Sequence, residues 1–150
     1  MNNNLPQNPA ELQSDDKMLA MFAHFSIFLG GIILPIIFYF MQKGKSKYVA
    51  FHSLQSIFFH LLYMFIVLFI VFVLVIVLVL LGVFNTKYFS HSDSAPAGFI
   101  IGMIMFYIGL FGSIIVFIGS GVYMGIKAYN GNWTKYPIVG NWAYNKVYGK

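Results

Sequence analysis

Three apolar runs dominate the pattern along this chain. The first, residues 18–41, is interrupted by Gly30-Gly31 and Pro35. The second, 57–81, continues for 25 residues without a charge or a breaker. The third, 99–126, is studded with glycine. A helix crossing a hydrocarbon layer of ~30 Å needs about 20 apolar residues, so each run is long enough. The second is rich in Val and Ile, which in water would suggest a strand. Its length excludes a single globular strand, and lipid admits only helices or closed barrels. The pattern therefore predicts an all-α integral membrane protein with three transmembrane helices, at about 17–42, 47–82 and 97–128. They form one membrane domain, 15–150, after a flexible polar tail, 1–14. Ser14 or Asp15 is the expected N-cap of the first helix. The start has no basic segment and does not read as a signal peptide.

The first run allows two courses. It can cross the membrane once with a kink at Pro35, which lipid tolerates. It can also fold at Gly30-Gly31 into two short helices that return to the side they came from. The second helix has an amphipathic start. At 100° per residue, His52, Ser53, Gln55, Ser56 and His60 fall within an arc of roughly 160°. Ala50, Phe51, Leu54, Ile57 and Phe58 fill the other side, which is expected to face lipid. His24 on the first run can reach this polar stripe only if that run is re-entrant. In the third run, Gly98, Gly102, Gly109, Gly112 and Gly119, with Met105 and Val116 between them, share one stripe at steps alternating between four and three residues. Small residues let helices approach closely in lipid. The stripe predicts a tight contact, either inside the chain or with a second copy or another membrane protein. Gly121 and Gly125 continue close by.

After the third run the chain alternates aromatics with Lys and Asn: KAYNGNWTKYPIVGNWAYNKVYGK. Aromatics and lysines suit a segment lying in the membrane interface. Residues 129–150 are read that way, anchored by Trp133, Tyr136, Pro137 and Trp142, as Lys43, Lys45 and Lys47 anchor the first connection.

Composition strengthens the membrane reading. Hydrophobic residues make up 59% of the chain and charged residues 9%, against about 25% charged in an ordinary soluble domain. The net charge of +5 comes entirely from lysines at the edges of apolar runs, so it argues for topology rather than nucleic acid. Lysines crowd the first connection and the C-terminal segment. The second connection, about 82–97, holds only Lys87 and Asp93. With three crossings this places the N-terminus outside and the C-terminus in the cytoplasm, in the inner (cytoplasmic) membrane of the cell.

Candidate chemistry is sparse. There is no Cys, and the acids are Glu11, Asp15, Asp16 and Asp93, all outside the apolar runs. His52 and His60 are eight residues apart, whereas a helical zinc pair prefers a spacing of four. Serines with histidines but no orienting acid make a weak nucleophile. No catalytic residue, metal or cofactor is expected, and the polar stripe of His24, His52, Gln55, Ser56 and His60 is read as hydrogen bonding between helices.

Three segments carry a resemblance: MLAMFAHFSIF, ILPIIFYFMQKGKSKYVAFHSLQS and KAYNGNWTKYPIVG. Together they resemble a small bacterial membrane-protein family of unknown function related to the Tic-type twenty-kilodalton subunit of the chloroplast inner-envelope import machinery. The likeness spans about 15–140. Its closing pattern falls here on Ala128, Asn130, Gly131, Tyr136, Pro137, Ile138 and Val139. It implies a helical membrane protein without established catalysis. The expected function is a non-enzymatic interaction or accessory subunit linked to protein transport. The alternative is a small channel or transporter using the polar stripe. The expected partners are the bilayer and either a second copy or another membrane protein, without nucleic acid.

Overall fold

The computed structural model describes residues 11–89 and 97–149, excluding the side chains at 78, 81–89, 97 and 98. The first ten residues of the polar tail, Asp93, and the side chains of Lys87 and Gly98 therefore lie outside the description. Five helices follow in order: α1 (Ser14–Leu29), α2 (Ile33–Gln42), α3 (Lys47–Phe89), α4 (Ala97–Tyr129) and α5 (Val139–Tyr148).

The first apolar run is two helices, not one kinked helix. The N-cap of α1 is Gln13 rather than Ser14 or Asp15, so both aspartates fall in the first turn, where the helix dipole favours negative charge. At its other end, the amides of Gly30 and Gly31 both donate to the Ser26 carbonyl, and Gly31 turns into the left-handed region with φ 56°. Pro35 then sits in the first turn of α2, where its missing N–H breaks no helical bond. Glycine ends one helix and proline opens the next. At 1.5 Å per residue, the 16 residues of α1 and 10 of α2 reach about 24 and 15 Å, each short of the ~30 Å hydrocarbon layer. The return is closed by a hydrogen bond from the Ser46 hydroxyl, just before α3, to the Asp16 carboxylate near the start of α1, 2.9 Å long. The same hydroxyl accepts from the Val49 amide at 3.4 Å, capping α3. Among the described residues two helices, not the expected three, are long and apolar enough to cross a membrane, through Lys47–Val77 and Phe99–Tyr129.

The chain divides into two compact units. Residues 63–117 form the first, built from the apolar stretches of α3 and α4. Tyr63 stacks on Phe117 with ring centroids 3.8 Å apart. Around this contact the surface is apolar: Phe65, Phe69, Phe72, Ile101, Met105, Ile108 and Ile115 are all exposed. Between 57 and 81 there is no charge, and a surface of this kind suits lipid, not water.

The second unit gathers residues up to 62 with 118–150. Its centre is the base of α3. Every residue from Tyr48 to Ser56 is buried, on all sides of the helix. The expected amphipathic start is therefore corrected: Ala50, Phe51 and Leu54 do not face lipid. Phe51 and Leu54 pack against Ala143 and Tyr148 of α5. The C-terminal segment is correspondingly a folded element. Tyr136 is buried, and Trp133 is half-buried against Tyr48 and Phe51, while Pro137 and Trp142 are exposed. The end of α4 approaches α1 closely: a Cβ added at Gly121 would lie 3.4 Å from the His24 carbonyl oxygen, and one at Gly125 would meet the Phe25 ring. At Gly102, Gly109, Gly112 and Gly119 an added Cβ would meet nothing within 4 Å. Among the described glycines of α4 the close contact is made by Gly121 and Gly125, just beyond the stripe.

Candidate functional site

The polar residues of the α3 base converge on three other segments. On α1, the His24 ring lies with Nε2 3.0 Å from Nδ1 of His52. One ring donates to the other across this contact. The outer nitrogens, His24 Nδ1 and His52 Nε2, are buried and make no hydrogen bond among the described residues. Ser56 donates to the Ala23 carbonyl at 2.7 Å, and Ser26 donates to the same oxygen at 2.8 Å. One α1 carbonyl thus gathers two hydroxyls, one from its own helix and one from α3. His60, one turn further along α3, donates from Nδ1 to the Ser56 carbonyl at 2.8 Å.

On the other side, Gln55 holds the segment between α4 and α5 with both ends of its amide. Its Nε2 donates to the Thr134 carbonyl at 3.2 Å, and its Oε1 accepts from the Tyr136 amide at 3.0 Å. A side chain here supplies the donor and acceptor that a neighbouring strand would give an extended segment. Tyr136 is then fixed by its ring, which stacks on Phe59 at 4.0 Å and lies edge-on to His24 at 5.6 Å. Tyr48 donates its hydroxyl to the Ala128 carbonyl at the end of α4.

Of the residues the sequence singled out, His24, His52, Gln55 and Ser56 come together in this cluster, with His60 at its edge. Tyr48, Ser26 and Tyr136 complete it and were not foreseen as members. The helical period could have flagged Tyr48, which lies one turn before His52. Among the described residues no group of three or more His, Cys, Asp or Glu is placed to hold a metal. The hydroxyls of Ser26 and Ser56 both donate to the Ala23 carbonyl, and Nδ1 of His60 lies 3.4 Å from Ser56 Oγ. The arrangement fastens three segments of backbone to one helix.

Burial pushes the His24 imidazole well below its usual range, reinforced by the neighbouring His52 and His60. Burial pushes the Tyr136 hydroxyl upward, and that of Tyr148 likewise, aided there by Tyr144 and Tyr48. The depressed histidine has a signed consequence. Unfolded chain takes up a proton near the ordinary value of 6.5, while the folded chain resists it. The stability from His24 is complete above pH 6.5 and is lost as pH falls below it, by about 1.4 kcal/mol per pH unit. Thermal unfolding in detergent at pH 7.5, 6.5, 5.5 and 4.5 checks this. A flat profile below 6.5, or an unchanged slope in His24→Asn, would contradict it.

Residues 15–143 match the model of the Magnetosome magnetite crystal formation protein family, MamF/MmsF. The chain belongs to that family. No curated protein and no solved structure matches it. MamF/MmsF membership overturns the resemblance to the Tic-type import component. The motifs that carried the resemblance lie inside the matched span, and the structure shows why they misled. Gln55 of FHSLQS and Tyr136 of the closing Tyr-Pro are the two halves of one backbone clamp. They record how a helix base is packed, not what the protein handles. The implied link to protein transport rested on that resemblance alone. MamF/MmsF membership and the two long apolar helices make this a membrane protein.

Proposed function

We propose that this MamF/MmsF chain is a non-enzymatic protein of the magnetosome membrane that supports magnetite crystal formation by structural contacts. It crosses the membrane twice, with both ends on the cytoplasmic face. The observation that carries this reading is the state of the polar stripe: His52, Gln55 and Ser56 are buried, Gln55 and Ser56 bonded to the backbone of neighbouring segments and His52 to the His24 ring. A polar path through the membrane would need these groups facing water. They serve instead to hold the second unit together. The orientation follows from lysines: Lys43, Lys45, Lys47, Lys127, Lys135 and Lys146 flank the base, against Lys87 and Asp93 in the far connection. The Asp16–Ser46 bond supports an N-terminus on the same side as that base.

Two measurements test it. The chain has no cysteine, so single cysteines report topology directly. Gln13→Cys, Gly44→Cys and Asn145→Cys should be labelled from one face of sealed vesicles and Lys87→Cys from the other. Labelling of Gln13→Cys and Gly44→Cys from opposite faces would restore a crossing first run. Liposomes holding the purified protein should pass protons and small cations no faster than empty ones. Flux above that background, abolished by His60→Phe, would establish the channel instead.

A further inference from the structure

Three lysines from three elements meet around one cavity on the second unit. Lys43 follows α2, Lys47 opens α3, and Lys146 lies near the end of α5; with Tyr39, Ala50 and Val147 they line a cavity of about 400 Å³. No lining residue is an acid. The chain's acids near this end, Glu11, Asp15 and Asp16, line a different cavity with Lys45 and Ser46. The three ammonium groups are exposed, and an anion bound among them would relieve their mutual repulsion. Two ammonium groups are held in place by rings: Lys43 lies 5.0 Å from the Phe40 ring centre and Lys47 5.5 Å from that of Tyr148.

A second observation tells what supplies the missing charge. Helix α2 exposes Ile33, Ile37, Phe40 and Met41, a single apolar stripe at steps of four, three and one. That stripe belongs against acyl chains. It ends one residue before Gln42 and two before Lys43, so the cavity opens where an apolar face gives way to charge. Headgroup phosphates lie at this boundary, and basic pockets there take anionic headgroups.

We propose that the cavity of Lys43, Lys47 and Lys146 binds the phosphate of an anionic phospholipid whose acyl chains lie along the exposed stripe of α2. The lysines neutralise the phosphate, while Tyr39 and Val147 give the glycerol region an apolar wall. The ligand is a membrane component, so the site fixes the second unit at a defined depth in the bilayer.

The full chain is purified in a neutral detergent and titrated with short-chain phosphatidylglycerol, short-chain phosphatidylcholine and inorganic phosphate, with bound lipid counted by native mass spectrometry. Wild type should retain phosphatidylglycerol well above phosphatidylcholine. The variant Lys43→Gln/Lys47→Gln/Lys146→Gln should lose that retention by more than about tenfold, since each lysine near an anionic surface contributes about fivefold. A control, Lys17→Gln/Lys45→Gln/Lys127→Gln, removes the same charge elsewhere and should lose less than about threefold. All six side chains lie off the buried core, and circular dichroism checks that both variants remain helical. Equal loss in the two variants would reduce the effect to diffuse attraction and overturn the site. Binding of inorganic phosphate as tight as that of phosphatidylglycerol would assign the cavity to a free anion and overturn the lipid.

Discussion

Gln55→Met should destabilise the protein by about 1–3 kcal/mol, although it changes side-chain volume little. The estimate rests on what the substitution leaves behind. The buried Tyr136 amide loses its partner at a cost of about 1–3 kcal/mol, while the carbonyl of the half-buried Thr134 can turn to water. Methionine fills the space, so a cavity does not explain the loss. Water cannot easily replace the amide, because Gln55 is fully buried and Tyr136 nearly so. Unfolding in detergent followed by the fluorescence of Trp133, which packs on Tyr48 and Phe51, measures the total. Hydrogen exchange at Tyr136 locates it: protection at that amide should collapse while amides of α4 well before Ala128 keep theirs. A loss under about 1 kcal/mol with Tyr136 still protected would show that the clamp contributes nothing beyond packing.

The clamp also marks how far the sequence could be read. Helical periodicity places His52, Gln55 and Ser56 together on one side of α3, because a 100° step depends on nothing outside the helix. What covers that side is not local. His24 reaches it only because the first run folds back, and that choice depends on Gly31 adopting φ 56° and on Pro35 falling in a first helical turn. Both residues are equally compatible with a kink in a crossing helix, so the sequence left two courses open. The aromatic tail posed a different difficulty. Trp and Tyr with interspersed Lys suit an interface, and Trp142 and Lys146 are indeed exposed. But Tyr136 and Tyr148 turn inward onto the base of α3, as the small residues Gly140 and Ala143 permit. Composition alone does not separate an aromatic that lies on a membrane from one that packs beneath a helix. The glycine stripe was legible as a surface but not as a contact, since its spacing says which residues share a face and nothing about what meets that face.

Gly140→Ala should cost about 1–3 kcal/mol, the usual range for forcing extra volume into a packed site. Helix propensity alone predicts the opposite sign, because alanine is favoured over glycine within a helix by about 1 kcal/mol. Geometry decides the matter. A Cβ at Gly140 would lie 2.6 Å from Gln55 Oε1 and 2.9 Å from the Cα of Lys135. The second atom is backbone and the first already holds the Tyr136 amide, so neither can withdraw freely. The cost should therefore couple to the clamp: in a Gln55→Ala background, Gly140→Ala should cost less by about 0.5–3 kcal/mol, the usual size for residues in contact. Gly125→Ala provides the comparison. There the added carbon meets only the Phe25 ring, the outer end of a partly exposed side chain that can swing aside. Its cost should be smaller than that of Gly140→Ala. Gly109→Ala and Gly112→Ala, with nothing within 4 Å, should leave the isolated chain as stable as before or slightly more so. Costs ranked in that order, read from unfolding in dilute detergent, confirm that the close approaches lie in the second unit. If Gly109→Ala and Gly112→Ala proved as damaging as Gly140→Ala, a second helix from another chain would have to be packed against them.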